Sequence, residues 1–141
     1  MPSTHYSPIL CAVPGCDKPA LTGAPHCWRH IEEREAFVAG LPRQLSHAVL
    51  VDVDLSGSDL RGRTFNGARL SGANLAGANL EGADLRRTFL DHTDMCNANC
   101  AGADLEMAVL GAADASNASF AHANLQRANL VGTKAHEANF S

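Results

Sequence analysis

From Leu55 to Phe140 an apolar or small residue returns at every fifth position, and the register never slips. Of these 18 centres eleven are Leu and three are Phe; the others are Met95, Cys100, Ala115 and Ala135. The residue two before the centre is Ala in twelve of 18 cases, with Ser58, Thr88, Thr93 and Thr133 as small substitutes. Asp or Asn stands one before the centre, again in twelve of 18, and Gly follows two after it at eight positions. A period of five lays no stripe along an α-helix, which turns about 500° in that distance. In a continuous strand it would send every second leucine to solvent. A short extended piece ending in a bend resolves the conflict. The centre and the residue two before it share one face, the Asp or Asn between them points away, and Gly supplies the turn. Bends repeated in one sense wind the chain into a solenoid.

The motif A-[DN]-L-x-G resembles that of the pentapeptide-repeat family over residues 48–141. The resemblance implies an all-β solenoid: a right-handed, four-sided β-helix with four pentads per coil and about five coils. With twenty residues per coil the centres fall into four columns. Leu50, Leu70, Leu90, Leu110 and Leu130 form an unbroken leucine ladder, opposite Leu60, Leu80, Cys100, Phe120 and Phe140. The remaining columns run Leu55, Leu75, Met95, Ala115, Ala135 and Phe65, Leu85, Leu105, Leu125. Ala115 and Ala135 directly precede the large centres Phe120 and Phe140, which reads as volume compensation within a coil. Arg63 breaks the small-residue rule, and a distorted first coil is expected there.

Before the repeats stands CAVPGCDKPALTGAPHCWRHIEEREAFVAGLP. Cys11 and Cys16 form one close pair and Cys27 and His30 another, a thiolate and imidazole set that suits tetrahedral Zn²⁺. His5 and His26 are alternative ligands. IEEREAFVAGLP reads as a helix stopped by Gly40 and Pro42. A start near Cys27 would place Cys27 and His30 on one helical face. Residues 9–40 resemble a treble-clef type of zinc finger. The expected organisation is a zinc-binding module with a capping helix over 1–45 and the β-helix over 46–141. The module's task is to cover the open first coil with structural Zn²⁺.

Composition narrows the function. Aromatic residues make up 5% of the 141, so the core is thin and regular. A net charge of −4 leaves no broad basic surface, and residues 1–47 carry four basic and four acidic side chains, so direct nucleic-acid binding is not expected. The opening MPSTHYSPILCAV does not read as a signal peptide, no apolar run approaches a membrane span, and five cysteines suggest reduced thiols or metal ligands rather than disulfides; a cytoplasmic site follows as the expectation. His47, His92, His122 and His136 lack a paired nucleophile, and the pentad rule sends Cys100 inward but Cys96 outward. No P-loop or dinucleotide fingerprint is present. An enzyme is therefore not expected.

The expected function is a protein-interaction scaffold. At the outward position Phe89 and Val109 are apolar and twenty residues apart, hence stacked on the leucine-ladder side. Val51 and Val131 flank them and Met107 lies near the corner, forming a candidate partner face. Leu125, Leu130, Ala135 and Phe140 have no counterpart of the amino-terminal cap and are expected to pair two copies end to end, as the family resemblance also implies. The alternative drawn from the resemblance is mimicry of B-form DNA and binding to DNA gyrase, with protection from quinolones. An acidic column of Asp54, Asp94 and Asp114, with Asn74 between them, is its only electrostatic support in a repeat region of eleven acidic and seven basic residues.

Overall fold

A computed structural model describes residues 9–141; His5 lies outside them. From residue 44 to the carboxy-terminal end the chain is a ladder of parallel bridges, each joining a residue to the one twenty further on, from Gln44↔Thr64 to Ser119↔Asn139. The bridging residue is always the one before a pentad centre, so four bridges mark each circuit and the solenoid has four sides. None extends into a longer strand, because the chain bends before a second bridge can form on the same side.

The reason for five residues emerges when the amides of one pentad are followed. Asn74 N–H donates to the Val53 carbonyl at 2.9 Å, in the coil before. Leu75 and Gly77 donate to Asp94 and Cys96, in the coil after, at 2.7 and 2.9 Å. Ala78 N–H returns to the Leu75 carbonyl at 3.0 Å and closes a four-residue turn. The remaining amide, that of Ala76, donates to the Asn74 side-chain Oδ1 at 3.0 Å. Every backbone donor of the unit has an acceptor. The same side-chain bond recurs at Asp84, Asp94, Asn99, Asp104, Asn124 and Asn129. The Asp/Asn position is therefore more than a solvent-facing polar site: it accepts the amide that the ladder leaves over, as in an Asx turn.

The third residue of each turn has positive φ, the mark of a type II turn, at every fifth residue from His47 to Glu137. Glycine fills eight of these sites; eleven carry a side chain, and none of those is β-branched.

All four columns point inward. The leucine ladder is fully buried from Leu50 to Leu110, and Thr88 and Thr93, two of the small substitutes, donate their hydroxyls to the Phe65 and Leu90 carbonyls. Ala115 and Phe120 are both buried, and the Phe120 and Phe140 rings lie stacked at 5.3 Å with 6° between planes. Arg63 does not distort the first coil: its N–H makes the usual turn bond to Leu60, and the 44↔64 and 64↔84 bridges form normally. Its guanidinium instead reaches the Leu41 carbonyl at 3.1 Å, so a long donor occupies the place where the incoming segment crosses the coil end.

That incoming segment begins with Leu10 bridged antiparallel to Pro19 and ends in one helix, α1, Arg34–Ala39. The expected start near Cys27 is wrong. Both His30 N–H and Ile31 N–H fold back on the Cys27 carbonyl, and the Arg34 side chain takes the Trp28 and Arg29 carbonyls as acceptors. Those carbonyls would otherwise serve the next helical turn, so Cys27 and His30 sit on a turn ahead of the helix. Gly40, at the other end, keeps a right-handed φ of −87° rather than the left-handed cap glycine often provides. Leu21, fully buried, joins the core of the first coil, with Trp28, Ile31, Phe37 and Leu41 packed against it. No helix among the described residues is long and apolar enough to cross a membrane.

Candidate functional site

The amino-terminal segment brings four ligand-type atoms together. Cys11 stands in the 10↔19 hairpin, where its N–H bonds the Lys18 carbonyl. Cys16 follows a turn through Gly15, whose φ is +82°, and returns its N–H to Val13. Cys27 and His30 come from the turn before α1. The sulfurs of Cys11, Cys16 and Cys27 and a ring nitrogen of His30 lie within 4.8 Å of one another, an arrangement compatible with a metal ion. His30 Nδ1 is 3.4 Å from both Cys11 Sγ and Cys27 Sγ, and Cys16 Sγ is 3.9 Å from Cys27 Sγ. His26 is not part of the cluster. Sequence spacing thus identified the four residues, although it placed the second pair on the wrong backbone element.

The electrostatics of the cluster are divided. Burial opposes the Cys11 thiolate, but hydrogen bonds from the Cys27 and Val13 backbone and the His30 ring outweigh it and lower the thiol to about 6. Cys16 is raised: the Lys18 backbone favours its thiolate, yet burial and the neighbouring Cys27 and Cys11 sulfurs prevail. A cation at the centre would favour all three thiolates together.

The other two cysteines are free thiols whose environments disfavour the thiolate. Cys100 is buried in the core and pushed up to about 12 by that burial; Cys96 faces outward and reaches about 11 through burial and the Asp94 and Asp114 carboxylates.

On the leucine-ladder side Arg69, Phe89, Val109 and Asn129 bridge in succession. Phe89 is half-buried, its ring covered by the Arg69 guanidinium at 4.8 Å. Val51 and Val109 are half-buried as well, Met107 is exposed at its corner, and Val131 is 78% exposed. Neither Phe89 nor Val109 offers the acceptor that Asp or Asn supplies at this position, so their side chains serve no turn. At the far end Leu125 is half-buried and Ala135 exposed, while Leu130 and Phe140 are 40% and 50% exposed. The acidic column bridges Asp54, Asn74, Asp94, Asp114 and Lys134 in order. Asp54 and Asp114 are held below the usual carboxylate range, first by the Ser56 and Ser116 hydroxyls and then by the amides of the same residues.

Comparison with known proteins agrees with this geometry. The family described as pentapeptide repeats matches residues 44–76, 73–111 and 103–141, with eight copies. No match is found among curated proteins. Among solved structures, HetL, a pentapeptide repeat protein involved in heterocyst differentiation regulation in the cyanobacterium Nostoc sp. strain PCC 7120, is 32% identical with a TM-score of 0.65. The match covers 68% of this chain and 46% of HetL. A pentapeptide repeat protein of the Arabidopsis thaliana thylakoid lumen is 36% identical with a TM-score of 0.59, over 60% of this chain and 59% of that one. QnrB1, a plasmid-mediated fluoroquinolone resistance protein, is 20% identical with a TM-score of 0.54, over 70% of this chain and 63% of its own, and shares the fold alone. The chain thus spans about half to three fifths of these relatives. With the pentad ladder, its turns and the family match in agreement, the chain belongs to the pentapeptide repeat family.

Proposed function

We propose that the chain is a non-enzymatic protein-binding scaffold, held at its amino-terminal end by structural Zn²⁺, that presents the leucine-ladder side to a protein partner. The observation that carries this reading is the apolar pair Phe89 and Val109, stacked in one row between Arg69 and Asn129 and flanked by exposed Val131, with Arg69 covering the Phe89 ring. Apolar and aromatic groups that serve neither core nor turn are what a binding face requires. A rigid ladder places them without loss of loop entropy on binding. Affinity capture with the wild type and with Phe89→Asp tests it. A partner taken by the first and lost by the second supports the scaffold; equal capture by both removes the face.

The zinc reading rests on distances. A tetrahedral Zn²⁺ with ordinary bond lengths has S···S edges of about 3.8 Å and S···N edges of about 3.6 Å. The observed 3.9 and 3.4 Å contacts fit that size. Residues 9–33 contain one isolated bridge and no helix, so a metal would supply order that a local core cannot. His30 would bind through Nδ1. Three reduced thiols in this cluster suit a cytoplasmic setting.

The exposed Leu130, Ala135 and Phe140, beside half-buried Leu125, are proposed to join two copies end to end. A monomer by light scattering at micromolar concentration would refute that arrangement. Gyrase binding by DNA mimicry is the second reading, and the Asp54, Asp94 and Asp114 column is its support. Asn74 and Lys134 interrupt that column, which leaves a weaker phosphate-like field than the apolar row leaves a binding face. Inhibition of gyrase supercoiling by the purified chain would reverse the ranking.

A further inference from the structure

The four-ligand cluster also joins the two parts of the chain. Between its two ligand pairs lies Leu21, buried in the solenoid core, and next to it Thr22, whose N–H donates to the Val49 carbonyl at 3.0 Å. The Val49 N–H returns to Thr22 Oγ1 at 2.6 Å. Whatever fixes the hairpin and the turn around the cluster therefore fixes the seam with the first coil. Access to the sulfurs is unequal: Cys11 and Cys27 are buried, whereas Cys16 is half-exposed and its sulfur lies 3.9 Å from that of Cys27. An oxidant from solvent meets Cys16 first, with Cys27 in contact to resolve the product.

We infer that the cluster is an oxidation-sensitive latch, in which a peroxide joins Cys16 to Cys27, the metal leaves, and the amino-terminal segment undocks from the first coil. This rests on the zinc reading above. The Cys16 thiolate attacks one peroxide oxygen and breaks the O–O bond, giving a sulfenic acid and hydroxide. The Cys27 thiolate then attacks the Cys16 sulfur, forms the S–S bond and expels a second hydroxide; two protons convert both hydroxides to water. The two thiolates supply the two electrons and the peroxide accepts them, while Zn²⁺ keeps its charge throughout. A site reduced to Cys11 and His30 no longer has four ligands, so the ion is released. Without it the segment holding Leu21 and Thr22 keeps only one isolated bridge and a few turn hydrogen bonds to hold its shape, and it undocks from the first-coil residues Leu45, Ala48 and Leu50.

The test uses the full chain loaded with zinc and counts bound metal before and after hydrogen peroxide with a chromogenic chelator. Disulfides are mapped by mass spectrometry, and amide exchange is followed at Thr22 and Val49. The expected result is one zinc released per chain together with a Cys16–Cys27 disulfide and at least tenfold faster exchange at Val49, all reversed by a dithiol reductant plus zinc. Cys16→His keeps four ligands but removes the bond-forming sulfur, and is expected to hold zinc and release it at least tenfold more slowly. Zinc retained by the wild type, zinc lost without that disulfide, unchanged exchange at Val49, or release from Cys16→His at the wild-type rate would each overturn the latch while leaving the metal site standing. A chain that takes up no zinc before peroxide would overturn both.

Discussion

At the scale of single residues the fold depends on two repeated choices, one at the turn and one in the core. Gly102, with φ of +67° and nothing within 4 Å of where a Cβ would stand, has room for a side chain but not the backbone freedom. Gly102→Ala is therefore expected to cost about 1 kcal/mol in denaturant unfolding. Ala112 already bears that strain at φ of 57°, and Ala112→Gly is expected to be neutral or to gain about 0.5 kcal/mol. Equal losses for both would show that the turns do not select on φ. In the core, Phe120 is buried, as is the small centre Ala115 before it, and its ring stacks on Phe140. Phe120→Ala should lower stability by about 3–5 kcal/mol, and a loss below about 1 kcal/mol would displace it from the core. Both positions were legible in the sequence, because a centre every fifth residue leaves one way to bury leucine. The role of the Asp/Asn position was not: polarity marks a residue as outward, but only the backbone path reveals which amide is left over.

At the scale of elements, the turns and the amino-terminal segment respond to different perturbations. The turn carboxylates Asp54, Asp59, Asp84 and Asp114 are all held low. Ser56 and Ser116 hydroxyls lead for the first and last, and Arg61 and Arg86 for the middle two; Asp59 falls to about 2. A carboxylate whose folded pKa lies below its unfolded value stabilises the fold above that unfolded value, near 4, and ceases to do so as pH falls through the folded one. Stability should therefore be flat from neutral pH to about 5 and decline from about 4 towards 2. A decline complete above pH 5 would point away from these groups. Because they are solvent-screened, the decline should be shallow and weaken further with salt. With the zinc proposed above, chelation should act on the other element. Metal removal, or Cys27→Ser, should lower the first melting transition and leave the coil signal of residues 70–120 in place, as scanning calorimetry with circular dichroism would show. The four clustered residues were legible from spacing, whereas the helix start was not. It is set by an Arg34 side chain that takes two carbonyls, a choice to which a propensity pattern is blind.

For the whole molecule, every ladder contact lies one coil away, so no part of the solenoid holds another at long distance. Interior coils have neighbours on both sides, the last has one, and the exposure of Leu130 and Phe140 marks the difference. Amide exchange is expected to be slowest between Leu70 and Leu110 and fastest beyond Leu125 in a single chain; end-to-end pairing would add protection there. The twenty-residue spacing carries one more implication, for how such genes change. An in-frame duplication of one coil would leave every bridge, turn and column in register, and lengthen the leucine-ladder side without altering it. Duplicating one pentad would also keep the core intact, yet turn everything downstream by a quarter of the circumference. The row around Phe89 would then be cut from whatever lay above it, so for this lineage the neutral unit of growth is twenty codons and five is a change of face.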